Sequence, residues 1–148
     1  MEFWLFILYI IICAVGVVTA IGIAVFLIKA NRRLERIYRE KNQDNVEIHE
    51  KCMIRDGILH SKCVAQVIGN DLILYTLLGK YFKIPLADIR VKKEFISHGW
   101  YAWFGKTVFY LDTPYTWRLA IAVSSPERWR AIFDKKVTAF QNREKRKE

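Results

Sequence analysis

Apolar and polar positions fall into three regimes along this chain. Residues 3–28, FWLFILYIIICAVGVVTAIGIAVFLI, carry no charge for 26 residues, about 39 Å as a helix against roughly 30 Å of bilayer hydrocarbon. Charges then crowd in over 29–45, with Leu34, Ile37 and Tyr38 as a thin apolar stripe among good helix formers. That composition predicts a helix that outlasts the apolar run and breaks at Asn42-Gln43-Asp44-Asn45. Beyond the break the period drops to two. In 46–54 the even positions are Val, Ile, Glu, Cys and Ile, and the odd ones include Glu47, His49, Lys51 and Met53, the alternation of a half-buried strand. Asp56-Gly57 is a hairpin signal. A turn centred there places Leu59, Ser61, Cys63, Ala65 and Val67 on the face of Cys52 and Ile54, with Cys52 opposite Ser61.

Further strand patterns follow over 72–78, 81–84, 89–95, 107–111 and 116–123. Ser124 and Ser125 can cap a last helix, Pro126 suits its first position, and Glu127 complements its dipole. Trp129, Ile132, Phe133, Val137 and Phe140 share one helical stripe. The expected architecture is an N-terminal transmembrane α-helix followed by a mainly-β domain. That domain has about seven antiparallel strands and a C-terminal amphipathic helix, as a small barrel or sandwich plugged at one end. The divisions are a span over 1–28, a basic juxtamembrane helix and linker over 29–45, the β domain over 46–140, and a charged tail over 141–148.

Over 52–133 the succession of a hairpin, LILYTLLGKYFKIPLADI, a meander and RLAIAVSSPERWRAIF resembles the PH-like/GRAM superfamily of bacterial membrane proteins. Lys83-Ile84-Pro85-Leu86-Ala87-Asp88-Ile89 is similar to that family's turn into a strand, and Ser125-Pro126-Glu127 to its entry into the last helix. The resemblance implies a PH-like domain that binds and places without catalysis or cofactor. Lys51, Arg55 and Lys62 loosely match the spaced basic residues that some members use for phosphoinositides.

Charge changes the picture by its location. The net charge is +9, of which residues 29–41 and 135–148 contribute +8, each holding six basic and two acidic residues. Only Glu2 is charged before the apolar run, which suits a retained anchor better than a cleaved signal. Lys29, Arg32, Arg33 and Arg36 follow it. By the positive-inside rule they place the amino terminus outside and the rest in the cytoplasm, at the inner membrane. The same four are the expected contacts to anionic lipid. Gly16, Ala20 and Ala24 form a small-residue stripe that suits close packing against another integral membrane subunit. No recognition motif supports nucleic acid as a partner.

Candidate chemistry is sparse. His49-Glu-Lys-Cys52 and His60-Ser-Lys-Cys63 repeat an H-x-x-C spacing that suggests zinc. Residues three apart in a strand point to opposite faces, however, so no metal site is expected. The cysteines read as small buried thiols of a reducing compartment. No nucleophile, phosphate-loop or metalloprotease motif is present, and no enzyme is expected. The segment HGWYAWFGK over 98–106 reads as a loop between strands. Its Trp100, Tyr101, Trp103 and Phe104 either dock on a membrane or partner or fold back over an open barrel end, and nearby lysines favour the outward reading. The functional expectation is an accessory or scaffold subunit of a larger membrane complex. The alternative is a sensor of anionic lipid.

Overall fold

The computed structural model describes residues 2–41, 45–98 and 105–144; the aromatic positions Trp100, Tyr101, Trp103 and Phe104 lie outside them. Helix α1, Glu2–Glu40, is unbroken for 39 residues, about 58 Å at ~1.5 Å per residue. Among the described residues it is the one helix long and apolar enough to cross a bilayer, and none of its apolar window is buried by the protein. The helical pattern therefore continues past the apolar run, as the composition of 29–41 predicts.

Among the described residues seven strands follow: β1 Val46–Asp56, β2 Leu59–Ile68, β3 Asp71–Thr76, β4 Tyr81–Pro85, β5 Arg90–Ile96, β6 Thr107–Thr113 and β7 Thr116–Val123. They form a single antiparallel sheet in the order β4-β3-β2-β1-β7-β6-β5. The sheet curls without closing. The edge strands β4 and β5 are not hydrogen-bonded to each other, and a 3-10 turn, Leu86–Asp88, carries the chain across the seam. This replaces the expected barrel or sandwich with a curled sheet. Helix α2, Pro126–Glu144, closes its concave face.

Alternation decides which side chains form the core. Ile48, Cys52 and Ile54 of β1 and Cys63, Ala65 and Val67 of β2 are buried on the inner face. There they join Phe109, Ile121 and the Trp129, Ile132 and Phe133 stripe of α2. The Phe109 and Phe133 rings meet edge-on at 5.6 Å. Each such side chain contributes about 1.5–3 kcal/mol by leaving water. The side chains of Val137 and Phe140, also assigned to this stripe, lie outside those described.

The hairpin register differs from the expected one. The two-residue loop is Gly57-Ile58, with Asp56 opposite Leu59, so Cys52 pairs with Cys63 and not with Ser61. Gly57 supplies the positive φ of 63° that the turn needs. A shift of two residues preserves which face each side chain occupies, so the burial pattern survives while every cross-strand partner changes. Leu59, expected on the core face, lies past the core and is 59% exposed.

Candidate functional site

The last helical turns of α1 lie across the outer face of β1, β2 and β3 and convert an expected solvent face into a second packed layer. Leu34 is buried there. Tyr38 stacks on His49, with ring centroids 4.3 Å apart and planes 16° from parallel. His49 Nε2 lies 2.6 Å from the Tyr38 carbonyl. A carbonyl only accepts, so this nitrogen carries the proton, and Nδ1 accepts from the Gln66 amide at 2.8 Å. The same Gln66 amide donates to the Lys41 carbonyl at 2.7 Å. Gln66 is fully buried, and these bonds tie off the carbonyl end of α1, where helix carbonyls lack internal partners.

Charge reinforces the contact. Lys51 Nζ donates to both Glu35 carboxylate oxygens at 2.7 Å and sits 4.5 Å above the Tyr38 ring. The bond from Lys51 holds the Glu35 carboxyl below its ordinary range. On the other flank, the Arg33 guanidinium lies over the β3–β4 turn, where its Nη1 would come 3.0 Å from a Cβ on Gly79. All four basic residues expected to meet lipid, Lys29, Arg32, Arg33 and Arg36, are exposed, and Arg33 alone of them is placed against the β3–β4 turn. Gly16, Ala20 and Ala24 lie exposed along the apolar run.

Two hollows of about 250 Å³ flank this helix. One is bounded by Asn31, Leu34 and Glu35 of α1 and by Lys51, Lys62 and Lys106 of the domain. Three lysines against one carboxylate around an apolar floor suit an amphipathic anion. Arg55, grouped with Lys51 and Lys62 by sequence, instead donates to the Gly57 carbonyl and the Tyr110 hydroxyl. A larger hollow of about 400 Å³ lies at the seam beside Asp88, Arg90 and Asp112. Its carboxylates already serve Tyr115 and Lys92; in the smaller cleft the one carboxylate, Glu35, is likewise taken by Lys51, which leaves Lys62 and Lys106 to face the hollow.

The H-x-x-C residues separate across the sheet, with His49 engaged on the outer face and Cys52 and Cys63 on the inner one. Among the described residues no group of three His, Cys, Asp or Glu gathers to hold a metal. The cysteine sulfurs are 2.9 Å apart. The bond to Cys63 and burial together push the Cys52 thiol well above its usual range, opposite to an activated nucleophile.

The residue that sequence reasoning passed over is Glu50. It occupies a core-face position of β1, where a carboxylate is out of pattern. Its Oε1 accepts from the backbone N–H groups of Ser124 at 2.5 Å and Ser125 at 3.2 Å, and Oε2 accepts from Trp129 Nε1 at 2.9 Å. A strand side chain therefore supplies the acceptor at the α2 start, where the serines were expected to do so. The lone acid in an otherwise apolar series was the signal that could have revealed it.

No family model and no curated protein matches the chain. Among solved structures, the C-terminal domain of an unknown protein from Leishmania infantum aligns with a TM-score of 0.47 and 10% identity. The match covers 72% of this chain and 97% of that one. A Vav1 chain inhibited by an allosteric inhibitor aligns with a TM-score of 0.44 and 12% identity, over 74% of this chain and 22% of that one.

Proposed function

We propose that this is a non-catalytic, single-pass membrane protein whose curled sheet is a PH-like domain displayed on the cytoplasmic face, acting as an accessory or scaffold subunit of a larger membrane complex. The observation that carries the reading is the unbroken α1. A flexible tether lets a domain roam, whereas this helix passes from its apolar run onto the sheet with no intervening loop and is fastened there by Leu34, Tyr38 and Glu35. Such an arrangement suits holding a surface at fixed height and orientation beside a neighbour. The Gly16, Ala20 and Ala24 stripe offers the neighbour's span a close approach.

The test is native electrophoresis of gently solubilised membranes after cross-linking within the bilayer. A complex of fixed stoichiometry that survives high salt and is lost with Ala20→Ile supports the subunit reading, and a chain migrating alone overturns it. The lysine-lined cleft favours a second reading, a sensor of anionic lipid. Under that reading the solitary chain binds phosphatidylglycerol vesicles in a salt-sensitive manner that Lys62→Gln weakens.

A further inference from the structure

The register of the first hairpin brings two of the chain's three cysteines face to face. Cys52 of β1 and Cys63 of β2 are direct cross-strand partners. Residues directly opposite in an antiparallel pair hold their Cα atoms about 4.5–5.5 Å apart, inside the range of about 4.4–6.8 Å that a disulfide spans. Both side chains are buried in the core, and their sulfurs lie 2.9 Å apart. Closing to the roughly 2.05 Å of a disulfide takes less than about 1 Å of travel, which side-chain torsions supply without moving a strand. In the register expected from Asp56-Gly57 the two would be diagonal neighbours, about 7–8 Å apart and out of reach. The observed loop is what makes them a pair.

The pair stands at the middle of the sheet. In the order β4-β3-β2-β1-β7-β6-β5, one half of the strands continues from β2 and the other from β1. The seam between β4 and β5 carries no ladder, so the β1–β2 pairing is what joins the halves. The last turns of α1 bridge the same ladder from the outer face. Lys51, beside Cys52 in β1, holds Glu35, and Gln66 of β2 holds the Lys41 carbonyl. Any parting of β1 from β2 would therefore separate two of the points on which α1 is fastened.

We infer that Cys52 and Cys63 form a redox-convertible staple, in which hydrogen peroxide oxidises the two thiols to an intramolecular disulfide that locks β1 to β2 under the docked end of α1. One thiol, as its thiolate, attacks a peroxide oxygen to give a sulfenic acid, and the displaced hydroxide takes up the thiol proton as water. The second thiol then attacks that sulfur, and its proton leaves with the displaced hydroxide as a second water. Two thiols and one peroxide thus become one disulfide and two waters. Burial and the bond to Cys63 raise the Cys52 thiol, so the conversion is slow at neutral pH and quickens as pH rises. A reducing compartment keeps the dithiol, and oxidative conditions draw it to the disulfide. The staple is independent of whether the chain is a subunit or a lipid sensor.

The full-length protein carrying Cys13→Ser, which removes the exposed third thiol, is purified in detergent under reductant and then treated, still folded and free of reductant, with hydrogen peroxide. After catalase, remaining thiols are blocked in denaturant and the chain is cut with trypsin, which cleaves after Lys51, Arg55, Lys62 and Lys80. The expected product is peptide 52–55 joined to peptide 63–80, two hydrogens lighter than their sum, forming faster at mildly alkaline pH. The oxidised chain should melt about 10 °C higher, and amide exchange over 34–41 and along β1 and β2 should slow several-fold, with both changes reversed by reductant. A Cys63→Ala chain treated alike should show neither the link nor the gain, which separates the disulfide from oxidation elsewhere, such as at Met53. Thiols that survive peroxide in the folded chain, sulfinic acid without a link, a link that forms only in denaturant, or a disulfide that leaves melting and exchange unchanged would overturn the inference.

Discussion

Replacing Glu50 by Ala tests whether the joint between β1 and α2 is the carboxylate that the geometry indicates. The substitution removes the acceptor for Ser124 N, Ser125 N and Trp129 Nε1. Ser124 is exposed, so water takes over most of the backbone bonding there, and the loss is about 0.5–1 kcal/mol for each N–H group. Trp129 is fully buried, and an indole N–H stranded without a partner costs about 1–3 kcal/mol. Loss of a negative charge at the helix start adds roughly 0.5 kcal/mol. The total is about 4 kcal/mol, which for a domain near 100 residues lowers Tm by roughly 16–32 °C. The assay is thermal unfolding of the full chain in detergent, followed by circular dichroism. Combining Glu50→Ala with Trp129→Phe should recover about 1–2 kcal/mol of coupling, because the second change deletes the stranded donor. A Glu50→Ala variant that melts within a few degrees of the parent, or a double mutant whose losses simply add, would refute the joint.

Three further outcomes follow from the helix and the hairpin. Leu34→Ala should weaken the docking of α1 on the sheet by about 2–4 kcal/mol, seen as faster amide exchange over 34–41 without matching acceleration in α2. Glu35 has a depressed carboxyl pKa in the folded chain, so its contribution is present above the ordinary carboxylate range and is lost as pH falls through the depressed value. Exchange over the same residues should therefore quicken only in acid, and Glu35→Gln should abolish that acid step. Cys52 has a raised pKa and is buried with Cys63, so neutral-pH alkylation of the folded chain should spare both thiols until denaturant exposes them; rapid labelling in the native state would contradict the burial.

The seven strands and two helices were legible because each rests on a local period, as in the alternation of Val46, Ile48, Cys52 and Ile54 or the spacing of Trp129, Ile132 and Phe133. Pairing was less legible. Asp56-Gly57 and Gly57-Ile58 are both admissible two-residue loops, and the choice between them depends on which cross-strand contacts form. Parity is shared by the two registers, so the error left burial intact and misplaced only the partner of Cys52. The docking of α1 was invisible for another reason. Leu34, Ile37 and Tyr38 are too few to mark a buried face by periodicity, and their value depends on meeting His49, Lys51 and Gln66 from elsewhere in the chain. Gln66 was the overlooked clue, a polar side chain inside the apolar run Cys63-Val64-Ala65-Gln66-Val67. The cleft lysines come from three separate elements that only folding brings together.

The continuity of α1 has a mechanical consequence. No described residue between the apolar run and Lys41 interrupts the helix, so its two halves share one axis with no joint at which one can turn while the other stays. A rotation of the apolar half about that axis therefore turns the docked sheet with it. A rotation of the apolar half by one residue's step, roughly 100°, would carry the docked sheet through a similar quarter turn. The helix would then serve as an axle, coupling the angle of its apolar half to the direction in which the sheet faces.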